Sequence, residues 1–256
     1  MFIAKDINGN IVTIEEAELF EKENPGVKIK YFCPSCSAEL NIDSKTSKYK
    51  RIHFKHKKGT LCNDDWTYDM SEWHRNWQNY FPKECQEVVM SNGVETHRAD
   101  VCINNTVIEF QHSNITREDF TARNIFYTSL GYDVEWVFDA DNKLRNEGKN
   151  YLIPFVWEDV HSYMDNFVRT IEWRWSNSIF ENFINCGGKV KIYLETSTTD
   201  SDEHVLLLVK SLGINAYKRF DIYYMDEYIY QENFLKEHGV VDNEDVLSIK
   251  DILEKT

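Results

Sequence analysis

Apolar positions between residues 71 and 138 alternate between two periods, and the switches mark out a series of elements. Trp73, Trp77 and Tyr80 recur at i, i+4 and i+7, the spacing of one helix face, with Ser71 placed to cap the helix and Pro82 to end it. Strand-like runs follow at Glu84–Met90, His97–Ile103 and Val107–His112. Thr116 with Asp119 has the spacing of a capping box, opening a helix through Phe120, Ile125, Phe126 and Leu130 that Gly131 would stop. Asp133–Phe138 alternates as a strand should. The predicted order is helix, three strands, helix, strand.

Outside this stretch the pattern is less regular. Asn8-Gly9 between apolar flanks predicts a tight hairpin of type I′, followed by a helix near Glu15–Glu23 and a strand near Val27–Phe32. After Asp139 we expect a long aromatic helix near Trp157–Phe183, a strand at Lys189–Leu194, a helix near Glu203–Leu212 and an aromatic strand at Arg219–Tyr224. There is no internal repeat, low-complexity tract or Pro/Gly/Ser linker. The expected division is an N-terminal module over residues 1–65 and a larger domain over 66–256, whose layout past 140 the sequence leaves open.

Composition narrows the class. The chain has 256 residues, 42% hydrophobic and 28% charged, ordinary for a soluble globular protein. No run approaches the roughly 20 apolar residues that span a bilayer. The start, Met-Phe-Ile-Ala-Lys-Asp, lacks the basic and apolar regions of a signal peptide, so a cytoplasmic protein without a membrane partner is expected. Its six cysteines should then be thiols or metal ligands. A net charge of −14 argues against nucleic acid as a partner, but its distribution does not. Between Lys28 and Lys58 nine basic residues meet two acids, a local +7, which leaves −21 on the rest. The aromatic share of 14% fits an aromatic core, and some rings could stack on unpaired bases.

Candidate chemistry concentrates in His97-Arg-Ala-Asp-Val-Cys-Ile-Asn-Asn-Thr-Val-Ile-Glu-Phe-Gln111. If Asn104-Asn105 form a two-residue turn, pairing outward places Asp100 across from Glu109. The period of two adds Gln111 and Arg98 to that face, while Ala99, Val101, Ile103, Ile108 and Phe110 form an apolar stripe on the other. Like charges directly opposed in a sheet are destabilising. A divalent cation such as Mg²⁺ or Mn²⁺ removes the conflict, because it takes hard oxygen ligands and substrate phosphate. Gln111 would orient a water or the phosphate, and Arg98 or His74 could add to the site. Glu72, in the first turn of the first helix, could be a further ligand or simply favour the helix dipole. Two acids meeting on a solvent-facing hairpin is the plainer alternative.

A second cluster is Cys33-Pro-Ser-Cys36, then His53-Phe-Lys-His56, then Cys62. CxxC followed by a His/Cys group suits tetrahedral Zn²⁺. Four protein ligands leave no open position, so such a zinc would be structural. The basic residues around it (Lys45, Lys48, Lys50, Arg51, Lys55, Lys57, Lys58) could clamp a phosphate backbone without reading sequence.

Ser71-Glu-Trp-His74, His97-Arg-Ala-Asp-Val101, Val107-Ile-Glu-Phe-Gln-His-Ser113 and the tail Arg123, Tyr127, Gly131, Trp136 together resemble the competence-protein CoiA-like family. The resemblance implies an α/β fold of the restriction-endonuclease-like PD-(D/E)xK superfamily, an αβββαβ core with an N-terminal zinc-binding module. It implies Asp100 and Glu109 as metal ligands, Gln111 in the position of the superfamily lysine, and Glu72 as a helix-borne acid. It also favours Cys33, Cys36, His53 and His56 as the zinc set, with Cys62 as the substitute. The implied activity is metal-dependent hydrolysis of DNA, with RNA second, in DNA processing or defence against foreign DNA. A non-catalytic nucleic-acid-binding or scaffold protein keeping the same fold is the alternative. A protein partner is left open.

Overall fold

The computed structural model describes residues 1–44, 51–62, 71–113, 115–140, 161–163, 166–173, 189–197, 204–214, 220–225 and 229–240. Its contacts divide the chain into two compact units, Met1–Ile103 and Asn104–Thr256.

In the first unit, β1 (Ile3–Lys5), β2 (Ile11–Thr13), β3 (Tyr31–Phe32), β4 (Glu39–Asp43) and β5 (His53–His56) form an antiparallel sheet in the order β2-β1-β3-β4-β5. The β1–β2 connection is not type I′, since Gly9 has positive φ and Asn8 does not. Asp6 organises it instead, its carboxylate accepting from the Asn8 and Asn10 amides at 2.8 Å each. Helix α1 (Ile14–Glu23) starts at a reciprocal capping box between Thr13 and Glu16. The strand expected at Val27–Phe32 shrinks to β3, because the Pro25-Gly26 turn runs on into an Asn24–Val27 backbone bond. Phe2, Ala4, Ile14, Ala17, Tyr31, Cys33, Leu40 and Phe54 form the core here.

The same unit contains α2 (Glu72–Asn79), a 3₁₀ turn at Lys83–Cys85, and the antiparallel pair β6 (Gln86–Ser91) and β7 (Thr96–Ile103). Ser71 caps α2 as expected, accepting from the His74 amide at 3.2 Å. Ion pairs bind these elements to α1: Arg75 to Glu15 at 2.6 Å and Lys83 to Glu16 at 2.8 Å. Glu87 sits at φ +45°, unusual for a side chain with a Cβ, and turns its carboxylate onto the Phe2 and Ile3 amides at 2.6 and 3.2 Å.

The second unit opens with β8 (Thr106–Gln111), α3 (Arg117–Ser129) and β9 (Asp133–Asp139). Asn104 and Asn105, which lead into β8, have φ of +47° and +65°, the signs a type I′ turn demands. Thr116 caps α3 through the Asp119 amide at 3.0 Å, and Gly131 follows its end at φ +93°. β8 lies parallel to β9, and β9 parallel to β12 (Val190–Ser197). Antiparallel pairing then runs from β12 to β13 (His204–Ile214), to β14 (Phe220–Met225), to β11 (Asn166–Trp173) and to β10 (His161–Tyr163). β15 (Ile229–Tyr230) also pairs with β13 and leads into α4 (Gln231–Glu237), a helix the sequence pattern does not suggest.

Two expected helices are strands in the described residues. Within 157–183, residues 161–163 and 166–173 form β10 and β11, and the remainder lies outside the described residues. This segment is rich in aromatic and β-branched residues, which fit a pleated surface better than a helix. Where a helix is expected near Glu203–Leu212, the described residues from His204 on form β13, in which Val205, Leu206, Leu207 and Val209 are all at most 3% exposed. A continuous apolar run suits a central strand covered on both faces as well as a buried helix, and periodicity cannot separate them. Among the described residues, no helix is long and apolar enough to cross a membrane.

Candidate functional site

Asp100 lies near the middle of β7 and is 3% exposed. Helix α2 reaches it with two residues four apart, hence on one helix face. His74 places Nε2 3.3 Å from Asp100 Oδ1, and Gln78 donates Nε2–H to the Asp100 carbonyl at 3.2 Å. Ser71 fixes the start of this helix, so a capping residue sets the height at which His74 meets the carboxylate. Glu72 is exposed, about 200° around the helix from His74. It therefore does not share the face that reaches Asp100.

Glu109, near the middle of β8, is fully buried. Its register partner on parallel β9 is Trp136, and Gln111 pairs with Phe138, so both polar side chains share the face that α3 covers. Phe120 packs on Trp136 at 4.8 Å, and Trp136 donates Nε1–H to Asn124 Oδ1 at 2.9 Å, fixing that helix on the sheet. From α3, Tyr127 donates its hydroxyl to Glu109 Oε1 and Arg123 donates Nη1–H to Oε2, each at 2.7 Å. Arg123 and Tyr127 are four apart on one helix face, as His74 and Gln78 are on α2. Gln111 is 8% exposed and donates Nε2–H to the Ser113 carbonyl at 2.7 Å.

The solvent-facing alternative is thus excluded, because both carboxylates are buried and an ionised carboxylate is not buried without compensation. Arg98, expected to help the site, is paired with Glu87 at 2.9 Å, and both are buried. Burial alone would push the Glu87 carboxyl up, but Arg98, the N-terminal ammonium and the Phe2 amide hold it below its usual range. Arg98 therefore serves the join between β7 and β1. His97 Nε2 lies 3.6 Å from Glu95. Arg123 and Tyr127 are the site partners that spacing arguments miss. Only the approach of α3 to β8 joins them to Glu109, although a helical i, i+4 pair ahead of Trp136 is visible in the sequence.

Cys33, Cys36, His56 and Cys62 gather with all ligand atoms within 4.8 Å of one another, an arrangement that could hold a metal such as zinc. Cys36 Sγ and His56 Nε2 are 3.3 Å apart. The knuckle closes through Ser37 N–H to Cys33 O at 2.9 Å, with Ser37 in the left-handed region at φ +58°. Burial, reinforced by the neighbouring Cys62 and Cys36, pushes the Cys33 thiol up to about 12, so a cation is what would favour its thiolate. The donor set fits Zn²⁺.

The fourth member of the cluster is Cys62, and His53, preferred from the sequence, is not in it. The reason is period two: His53 and His56 both lie on β5, three residues apart, so their side chains leave opposite faces. His53 instead bonds through Nδ1 with the Arg51 carbonyl at 2.8 Å. Of the basic residues, Lys55 pairs with Asp43 at 3.3 Å and Lys57 with Glu39 at 3.0 Å, while Lys58 is exposed. Lys45, Lys48 and Lys50 lie outside the described residues.

These features define a mixed α/β protein whose buried carboxylates stand on consecutive strands and whose Cys/His cluster could bind a metal. Residues 76–178 match the family model of the competence protein CoiA, nuclease-like domain, and the resemblance to that family holds over this stretch. Asp100, Glu109, Gln111, Arg123 and Tyr127 fall inside it; the Cys/His cluster, Glu72 and His74 precede it. No curated protein and no solved structure matches the chain.

Proposed function

We propose that the protein is a metal-dependent nuclease that hydrolyses phosphodiester bonds of DNA, in the cytoplasm, during DNA processing or defence against foreign DNA. The supporting observation is a carboxylate buried near the middle of each of two consecutive strands within the nuclease-like segment. In this reading the segment has a restriction-endonuclease-like core, residues 1–65 are a zinc-binding module and 66–256 carry the nuclease-like domain.

Asp100 and Glu109 would hold Mg²⁺ or Mn²⁺. The two hydrogen bonds that Glu109 accepts do not exhaust a carboxylate, which offers about four lone-pair positions. Such an ion, when bound, polarises the phosphate and lowers the pKa of an attacking water. The chain's own part is to orient. His74 and Gln78 hold Asp100, Tyr127 and Arg123 hold Glu109, and Gln111 would exchange its bonds to Ser113 for one to the water or phosphate. Water oxygen forms its bond to phosphorus as the bond to one ester oxygen breaks, and that oxygen leaves with a proton. Glu72, exposed on α2, takes part only if the substrate brings metal or water to the outer face of that helix.

A binding or scaffold role is favoured by one observation, the glutamine at 111 where a cationic lysine would serve a nuclease better. Incubation with single- and double-stranded DNA and RNA, in Mg²⁺, Mn²⁺ or EDTA, separates the two. Cleavage that requires the metal and favours DNA supports the enzyme. Binding without cleavage under every condition supports the scaffold.

A further inference from the structure

We propose that Arg123 supplies from α3 the positive charge that the strand β8 lacks at Gln111, making it the cation that assists phosphodiester hydrolysis. This rests on the nuclease reading above. On β8 the residue two beyond Glu109 is a neutral amide, turned onto the Ser113 carbonyl. A neutral amide can hydrogen-bond a phosphate oxygen but cannot offset the negative charge that grows there as water adds to phosphorus. The Arg123 guanidinium meets the Glu109 carboxylate from α3, with Nη1 2.7 Å from Glu109 Oε2. Glu109 is fully buried and the Arg123 side chain is 8% exposed, so this charge acts through little water.

The helix is built to hold it there. Tyr127, four residues on, bonds the second oxygen of Glu109, and Asn124 is tied to Trp136, the register partner of Glu109. A guanidinium is charged at every working pH and presents a fixed fork of donors. The plain alternative is a counter-charge that only makes burial of Glu109 tolerable. The two roles differ in what can replace the arginine. A structural counter-charge must touch Glu109 from α3, whereas a charge acting on the phosphate can be moved to β8.

The test uses the full chain with zinc bound. It compares the parent, Arg123→Gln, Arg123→Lys, Gln111→Lys and the double variant Arg123→Gln/Gln111→Lys. Folding is checked by circular dichroism, with Arg123→Met replacing Arg123→Gln should that variant not fold. Cleavage is measured with Mg²⁺, and Mn²⁺ affinity by titration calorimetry. We expect Arg123→Gln to lower kcat about 100-fold, the scale for losing one donor aimed at developing charge. Mn²⁺ affinity should stay within about threefold, because Tyr127 still holds Glu109 in place, and Arg123→Lys should keep most of the rate. The double variant should regain at least about tenfold over Arg123→Gln.

An Arg123→Gln variant that cleaves like a cleaving parent overturns the proposal and leaves the nuclease reading intact. So does a double variant without recovery, or a loss of Mn²⁺ affinity that matches the loss of rate. A parent that cleaves no substrate with either metal overturns the nuclease reading, and this assignment with it.

Discussion

At the scale of single residues, the two acids carry unequal structural burdens. Asp100→Asn and Glu109→Gln should each lower cleavage by orders of magnitude while nucleic-acid binding survives, since each removes a proposed metal ligand with little change of shape. Their stabilities should diverge. Glu109→Gln leaves the buried Arg123 without its carboxylate partner, and breaking a buried ion pair costs about 3–5 kcal/mol. Asp100→Asn keeps the Gln78 bond to the backbone carbonyl and an oxygen to face His74, so it should cost less. Thermal melts of the metal-free variants check this; equal melting temperatures would show that the Arg123 pair contributes nothing. The Cys/His cluster that could hold zinc gives a second contrast. Cys62→Ser should lose the zinc and destabilise the N-terminal sheet, while His53→Ala should keep about one zinc per chain by elemental analysis. Zinc lost from His53→Ala and kept by Cys62→Ser would reverse the assignment.

At the scale of elements, α4 is held by a polar cluster around the buried Glu135 and His238 that no pattern on the chain announces. Glu135 on β9 meets Lys191 on β12 at 2.7 Å and His238, just past α4, at 3.1 Å. His238 Nδ1 also bonds the Phe234 carbonyl, and Asn104 donates to the His238 carbonyl. Burial would push Glu135 up, but its bonds to His238 and Lys191 lower it. Burial would likewise lower His238, but Glu135 and the Phe234 carbonyl raise it above its ordinary 6.5. A raised histidine contributes stability that is complete below its unfolded value and lost as pH rises through the folded one. A lowered carboxylate contributes stability present above its ordinary 4.5, lost as pH falls through its folded value. Docking of α4 should therefore be firmest between about 4.5 and 6.5 and weaken on the alkaline side. Hydrogen exchange of the 231–237 amides should show His238→Gln losing more protection at pH 6 than at pH 8.5. An equal loss at both would mean that the imidazole charge is irrelevant.

At the scale of the whole molecule, the acidic charge and the basic module pull in opposite directions on a polyanion. Lys55 and Lys57 already face Asp43 and Glu39, so a phosphate would have to compete with exposed ion pairs that are individually weak. Reversing Lys55, Lys57 and Lys58 to Glu should weaken binding to all sequences alike. It should also flatten the slope of log affinity against log salt by about 0.9 for each duplex phosphate that the protein no longer neutralises. Affinity and slope unchanged by the triple reversal would place the substrate elsewhere on the chain.

Much of the fold around the site was legible from residue order alone. Ser71, Thr116 and Gly131 marked the ends of α2 and α3, and the Asn104-Asn105 turn and the strands β7, β8 and β9 followed from turn and strand signals, although all three strands are buried on both faces rather than alternately. These are local effects, set by caps, turn dihedrals and side-chain period, and they act over a few residues wherever the chain goes. What depends on distant neighbours was decided by the tertiary structure. β13 is a strand because β12 and β14 bond both its edges, a choice its apolar run leaves undetermined. Cys62 replaces His53 in the cluster because β5 turns alternate side chains to opposite faces and the later loop returns a thiol to the knuckle. Arg98 pairs with Glu87 and Arg123 with Glu109 because a buried charge takes the counter-charge that packing brings within reach, and sequence separation does not reveal which one that is.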